Sequence, residues 1–198
     1  MRRLVYYVAV TLDGRIAGPG GEFDFFPRGD ERQAAAYEAW TTPLYPETVP
    51  TAYRAAVGVT DVPNRNFDTV LMGLGSYRPG LDEGYRSPYA HLRQYVVSST
   101  LKPDDADPAV TVVPGDPLGL VRELKAEEGS DLDIWLCGGG KLAGALLSEI
   151  DELLIKSYPV IAGAGVPLVD GVFDPTLFDA AERTAFTNGV TLTRFTRR

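Results

Sequence analysis

Residues 135–146 read Trp-Leu-Cys-Gly-Gly-Gly-Lys-Leu-Ala-Gly-Ala-Leu, an apolar run that closes on Gly138, Gly139 and Gly140 and opens at Lys141 into a helical pattern. A strand ending in bare glycines lets backbone approach a ligand, and the first free N–H groups of the next helix aim at the same point. The chemistry this suits is the seating of an anion such as a dinucleotide pyrophosphate. The spacing is neither the Gly-x-Gly-x-x-Gly fingerprint nor a P-loop with its Lys-Ser/Thr ending, so a turn that merely packs tightly stands beside the anion seat.

Other residues have types that carry chemistry. Asp13, in Thr11-Leu12-Asp13-Gly14-Arg15-Ile16-Ala17, can supply a proton or order a water that does so, or it can be an ordinary Asp-Gly turn residue. Asp24 and Glu47 are the other carboxylates in reach of such a role, and Asp13 ranks first. Ser98 and Ser99 close an apolar run and offer hydroxyls and amides to a ligand, or form an ST-turn. Phe23, Phe25, Phe26, Trp40 and Tyr45, interleaved with prolines, suit a shaped wall for a flat heterocycle; core packing is the alternative. His91 has no partner acid or nucleophile marked by spacing and reads as a packed or surface residue. Cys137, the single cysteine, reads as inert packing and excludes an internal disulfide, and with one histidine there is no Cys/His cluster for zinc.

The elements that must hold these residues follow from apolar runs. Leu4 to Val10, Thr69 to Met72, Tyr95 to Val97, Val110 to Val113, Ile134 to Cys137 and Leu153 to Tyr158 have few alternating polar residues. They read as strands buried on both faces of a mainly parallel sheet. Helices are expected at Gln33 to Trp40, at Pro117 to Glu127 behind Asp116 as N-cap, and at Lys141 to Glu149. Ala180 to Phe186 and Val190 to Thr196 alternate around Asn188-Gly189, so the sheet is expected to end in an antiparallel hairpin. Residues 23–66, rich in Pro, Tyr and Trp, read as an ordered excursion over the sheet edge.

Composition narrows the class. The 198 residues, 44% hydrophobic, suit one domain over 1–198. A formal charge of -8 with no long basic run argues against a nucleic-acid or anionic-membrane surface. No segment has the length of a membrane span or the pattern of a signal peptide, so a cytoplasmic location is expected.

Five segments in order, TLDGRIA, the MGxxSY turn, VVSS, CGGGKLAGALL and DELLIKSYPVIAGAGVPL, resemble the dihydrofolate-reductase-like superfamily, and within it the reductase C-terminal domain family of riboflavin biosynthesis, as a stand-alone member. The resemblance covers nearly the whole chain and implies a three-layer α/β/α sandwich. It implies NADPH, with NADH as the alternative cofactor, lying across the carboxyl ends of the central strands. Gly138, Gly139, Gly140 and Lys141 would take the pyrophosphate, with Gly73, Ser76 and Tyr77 flanking it. Ser98 and Ser99 would meet the adenosine ribose or its 2'-phosphate, and Val10, Ile16 and Ala17 would wall the nicotinamide beside Asp13. The family commonly carries Arg where this chain has Leu74, and that guanidinium clamps the 2'-phosphate; Arg78 and Lys102 are the nearest candidates to compensate. Arg28 or Arg54 would meet a substrate phosphate. The resemblance further implies a homodimer, a cis peptide at Gly138-Gly139, and reduction of a small heterocycle similar to 5-amino-6-(5-phosphoribosylamino)uracil. A dihydrofolate reductase and a non-catalytic ligand-binding protein of the same fold are the rival readings.

Overall fold

The structure is a computed structural model describing residues 1–198. In chain order its elements are Leu4–Val10 (β1), Arg15–Ala17 (β2), Glu31–Leu44 (α1), Phe67–Gly73 (β3), Leu74–Asp82 (α2), Arg93–Val97 (β4), Val110–Val113 (β5), Pro117–Ala126 (α3), Asp133–Gly138 (β6), Gly140–Ala145 (α4), Ile150–Ser157 (β7), Val166–Pro167 (β8), Phe178–Ala185 (β9) and Thr191–Arg197 (β10). Eight strands form one sheet in the order β5-β4-β3-β6-β1-β7-β10-β9. The six from β5 to β7 run parallel, whereas β10 pairs antiparallel with both β7 and β9.

Burial explains the strands that the apolar runs foretell. β1, β3 and β6 lie in the middle of the sheet and are buried on both faces, which is why they lack polar alternation. One face packs α3 and α4 through Leu4, Tyr6, Val121, Leu124 and Leu142, and the other packs Val5, Tyr7, Tyr77 and Trp135, with Trp40 and Tyr45 partly buried against them. Each large side chain taken fully out of water contributes about 1.5 to 3 kcal/mol. The result is a three-layer α/β/α sandwich. β9, at the sheet's free edge, is largely exposed and carries Glu182 and Arg183 there, charges that discourage further strand addition.

The local signals act as expected at several ends. Asp116 caps α3 by accepting from Gly119 N at 2.9 Å. The hairpin closes between Phe186 and Val190 with Gly189 at a φ of 83°, a left-handed conformation that glycine adopts without strain. α1 is longer than the alanine-rich core suggests, because Asp30 and Gln33 form a capping box that starts it at Glu31.

Two expectations are corrected. The helix after the glycine triplet stops at Ala145 and not Glu149, since Ile150 must enter β7 fully buried; Leu147–Glu149 turns as a 3-10 segment. The stretch read as a turn after Gly73 is the helix α2, despite Gly75, Pro79 and Gly80. Tyr77, wholly buried, anchors it, so packing overrides poor helix propensity. β2 and β8 form a small antiparallel pair beside the main sheet that no periodicity announces. No helix is long and apolar enough to cross a membrane.

At the sheet edge where the parallel strands begin, Arg2 is 3% exposed and donates to Leu132 O, Thr69 Oγ1 and the carboxylates of Asp68 and Glu127. Arg3 and Arg194 hold the buried carboxylate of Glu152. These networks tie the amino-terminal ends of the strands together and leave the opposite edge to the glycine turns.

Candidate active site

β3 and β6 are neighbours, and both end in glycine at the carboxyl edge of the sheet, with α2 and α4 starting directly after them. Gly73 and Gly139 are the N-caps, and neither supplies a side-chain cap. By contrast α1 and α3 are capped by Asp30 and Asp116. The first-turn N–H donors of α2 and α4 are therefore left free, and the positive end of each helix adds to them. Both helix starts line one cavity of about 680 Å³, together with Leu74, Val97, Lys141 and Val166.

Close packing requires glycine at 140, and a positive φ favours it at 138. A Cβ on Gly140 would lie 2.2 Å from Pro167 O, which places the start of α4 against β8. Gly138 has a φ of 136° and meets Ser76 Oγ, and a Cβ on Gly73 would come within 3.4 Å of Gly139 N. Gly75 and Gly139, in contrast, face open space. The Gly138-Gly139 peptide is cis, as the resemblance implies.

A second cavity, about 650 Å³, adjoins the first at Gly75, Gly139 and Val166, which line both. Four aromatic residues line it, Phe23, Tyr53, Tyr85 and Tyr89, together with Ile16 and Ala17. Tyr53 and Tyr85 meet edge to face at 6.2 Å, and Tyr53 donates its hydroxyl to Glu83 at 3.2 Å. Glu83 is the carboxylate of this cavity. Cys137 also faces it, and burial raises the thiol to about 11, so the sulfur stays protonated and inert at neutral pH.

Of the residues singled out in the sequence, Ile16, Ala17, Gly73, Leu74, Ser76, Gly139, Gly140 and Lys141 line this double cleft, with Gly138 beneath them. Others stand elsewhere. Tyr77 is core, its hydroxyl donating to Arg86 O. Val10 is buried and lines neither cavity; Val8 does so instead. Ser98 Oγ accepts from Leu101 N at 3.0 Å and Thr100 N at 3.2 Å, the ST-turn alternative, and it is Val97 that reaches the cleft. Ser99 is exposed beside it.

Asp13 lines neither cavity. Its carboxylate accepts from Thr11 Oγ1 at 2.6 Å, Ala162 N at 3.0 Å and Gly163 N at 2.8 Å, fastening the loop after β1 to the loop after β7. Those hydrogen bonds, that from Thr11 foremost, hold its carboxyl at about 2, so it carries no proton to give at neutral pH. Glu47 is buried at the start of β3, where it accepts from Asn66 N and Phe67 N, and Asp24 is exposed. Trp40 packs on Phe186, Tyr45 on Tyr7, and Phe25 and Phe26 stack together, so among the five aromatics only Phe23 lines the cleft. Arg54 donates to Pro46 O and Val62 O, and Arg28 pairs with Glu38, which leaves neither in the cleft. Arg78 and Lys102 are exposed outside it. His91 is packed as read, with Nε2 2.8 Å from Glu47 O. Tyr53, Glu83, Tyr85 and Tyr89 were not foreseen; Tyr53 lies in the Pro- and Tyr-rich excursion before β3 and the other three between α2 and β4, where nothing in the local sequence marks a ligand wall.

A family model described as the RibD C-terminal domain matches residues 2–192. The chain belongs to the RibD C-terminal domain family. Within it, the chain is 30% identical over 170 residues to YwjB of Bacillus subtilis (strain 168), which covers 84% of this chain and 82% of that one. It is 27% identical over 202 residues to YyaP of the same organism, covering 96% and 92%. Among solved structures, a putative riboflavin biosynthesis protein from Shewanella sp. PV-4 matches with a TM-score of 0.68 at 22% identity, over 99% of both chains. The diaminohydroxyphosphoribosylaminopyrimidine deaminase/5-amino-6-(5-phosphoribosylamino)uracil reductase of Thermotoga maritima matches with a TM-score of 0.60 at 15% identity, over all of this chain and 57% of that one. These likenesses establish the dihydrofolate-reductase-like fold of this RibD C-terminal domain chain.

Proposed function

We propose that this chain binds a nicotinamide dinucleotide across its glycine turns and reduces a small planar heterocycle held in the aromatic cavity. The observation that carries the reading is the pair of uncapped helices, α2 and α4, whose first turns line a cavity that adjoins an aromatic one. The donor set fits such a cofactor: first-turn amides for the pyrophosphate, open space above Gly75 and Gly139, and the apolar Ile16, Ala17 and Val166 in the adjoining cavity. A bound dihydronicotinamide supplies hydride for a C=N or C=O carbon. The chain contributes orientation and exclusion of water, with Tyr53, Tyr85 and Tyr89 gripping a flat ring. The name of the Thermotoga maritima relative supports an aminopyrimidine as the substrate class.

A dihydrofolate reductase fits less well, because the acids of α1 do not serve the cleft: Glu31 is exposed and Glu38 pairs with Arg28. Leu74 favours one second reading, a non-catalytic nucleotide-binding protein, since it places an apolar group where the family commonly has a cation. Lys141 is the cation that lines the cavity, and NADPH is expected to bind moderately tighter than NADH through it. Titrating each reduced cofactor while following nicotinamide fluorescence tests the reading. Saturable binding with that order supports it, and binding of neither overturns it.

The same reading carries a homodimer in the cytosol. Val172, Phe173 and Leu177 are 87%, 96% and 63% exposed, an apolar run that a second copy would cover. A monomeric mass by light scattering overturns this part.

A further inference from the structure

Among the residues lining the aromatic cavity, Glu83 is the charged one; no lysine, arginine or histidine lines it. The side-chain partner of Glu83 is the Tyr53 hydroxyl, 3.2 Å from Oε2. The cations of neighbouring elements are engaged elsewhere. Arg54 holds Pro46 O and Val62 O, Arg86 holds Asp104 O and Ala106 O, and Arg28 pairs with Glu38. Arg15, on the strand that supplies Ile16 and Ala17, reaches Gly165 O. His91 lies 3.3 Å from the cavity residue Thr51, and burial lowers it, so the ring is uncharged at neutral pH. Phe23, Tyr53 and Tyr85 are exposed, and the chain's cation–π contacts fall on Tyr7 and Phe178 instead. The helix α2 adds its own field. Leu74 and Gly75 of its first turn line the glycine cavity, whereas Pro79, Gly80 and the C-cap Glu83 line the aromatic one. Its positive end therefore serves the first cavity and its negative end the second, where no basic residue in the last turn offsets it.

We propose that the aromatic cavity selects an unphosphorylated planar heterocycle carrying positive charge, and that Glu83 is the residue that sets this selection. Aromatic faces, a carboxylate and a helix C-terminus each favour a cation. A phosphate placed among them finds no counter-charge and is repelled. The phosphoribosyl group in the name of the Thermotoga maritima relative therefore has no partner in this cavity. The reaction class that follows rests on the reductase reading. A C=N that arrives protonated needs no proton from the protein. Its carbon takes hydride from a dihydronicotinamide, the C=N π electrons become the nitrogen lone pair, and a neutral amine and a nicotinamide cation result, so charge and protons balance.

The charge selection needs no cofactor, and neither does its test. At neutral pH 4-aminoquinoline is a cation, 4-quinolone a neutral ring and quinoline-4-carboxylate an anion, all of similar size. Each is titrated calorimetrically into the native chain, Glu83→Gln and Glu83→Lys. The native chain is expected to bind the cation about 3- to 30-fold tighter than the neutral ring, the range for an exposed cation–π contact together with an exposed ion pair, and the anion most weakly. Glu83→Gln keeps an acceptor for Tyr53 and lowers the preference about two- to fivefold, the share of the ion pair. Glu83→Lys reverses the order. Glu83 is exposed, so both variants are expected to melt with the native chain. Uridine and its 5'-monophosphate then compete against bound 4-aminoquinoline, and the monophosphate is expected to displace it no better than uridine. A native chain that binds none of the three rings, or binds the anion as tightly as the cation, overturns the proposal. So does a folded Glu83→Lys that still prefers the cation, or a monophosphate that displaces better than uridine. NADPH titration separates the two readings, because Glu83 does not line the glycine cavity. A cation preference that fails while NADPH still binds leaves the reductase reading standing, and the converse leaves the charge selection.

Discussion

Gly75 sits where the two cavities meet, in the first turn of α2, and replacing it with alanine separates stability from binding. Its φ lies outside the left-handed region and a Cβ there meets nothing within 4 Å, so the folded chain accommodates the methyl. Alanine is favoured over glycine in a helix by about 0.5 to 1 kcal/mol, and the lower figure applies in a first turn. For a chain of this length that is a rise in Tm of about 1 to 2 °C. The same methyl projects into the space the cofactor would fill, and overfilling a packed contact costs about 1 to 3 kcal/mol, or about 5- to 150-fold in affinity. Gly75→Ala is therefore expected to melt higher and bind NADPH more weakly. Gly140→Ala makes the contrast: its Cβ would fall 2.2 Å from the Pro167 carbonyl, so α4 or β8 must move and the Tm must drop. Thermal melts and fluorescence titrations on both variants decide. A Gly75→Ala chain that is more stable and binds NADPH unchanged would show that no ligand approaches this turn, and the placement of the cofactor would be withdrawn.

Leu74→Arg should tighten NADPH by about ten- to a hundredfold and leave NADH nearly unchanged, measured by the same titration; equal effects on both cofactors would mean that residue 74 does not approach the 2'-phosphate. Asp13→Asn should lower the Tm by loosening the loop it fastens. Because the folded carboxyl sits at about 2, below its unfolded value of 3.8, Asp13 stabilises the chain above pH 4 and loses this effect as the pH falls toward 2. The variant's Tm deficit should therefore shrink in acid, and a pH-independent deficit would contradict the hydrogen bonding. Arg2→Met should lose about 3 kcal/mol in denaturant melts, the low end for breaking a buried pair because Glu127 is over a third exposed. NADPH binding should survive it, since the network lies at the opposite edge of the sheet.

Local chemistry in the chain was enough to determine much of this protein. A strand buried on both faces must be apolar at consecutive positions, so β1 was legible to the residue and the middle of β6 nearly so; β5, an edge strand with Thr111 exposed, was legible from its β-branched run alone. Asp116 before Pro117 and Asn188-Gly189 act through bonds within a few residues, and those bonds form as read. The glycine triplet announced a backbone approached closely, and both cavities meet above it. What tertiary structure alone decided involves partners far along the chain. Asp13 looked like a proton donor because nothing nearby reveals Ala162 and Gly163, about 150 residues on, which hold it ionised. The aromatics of residues 23–45 look like Tyr53, Tyr85 and Tyr89 in sequence, yet the first group mostly packs on Phe186, Tyr7 and Tyr158 while these three face the cleft. α2 was invisible because glycine and proline weigh against a helix, and only the burial of Tyr77 outweighs them. Lys156 sits in a run that reads as a plain strand; its place over the Tyr7 ring is set by the sheet register, which local sequence does not give.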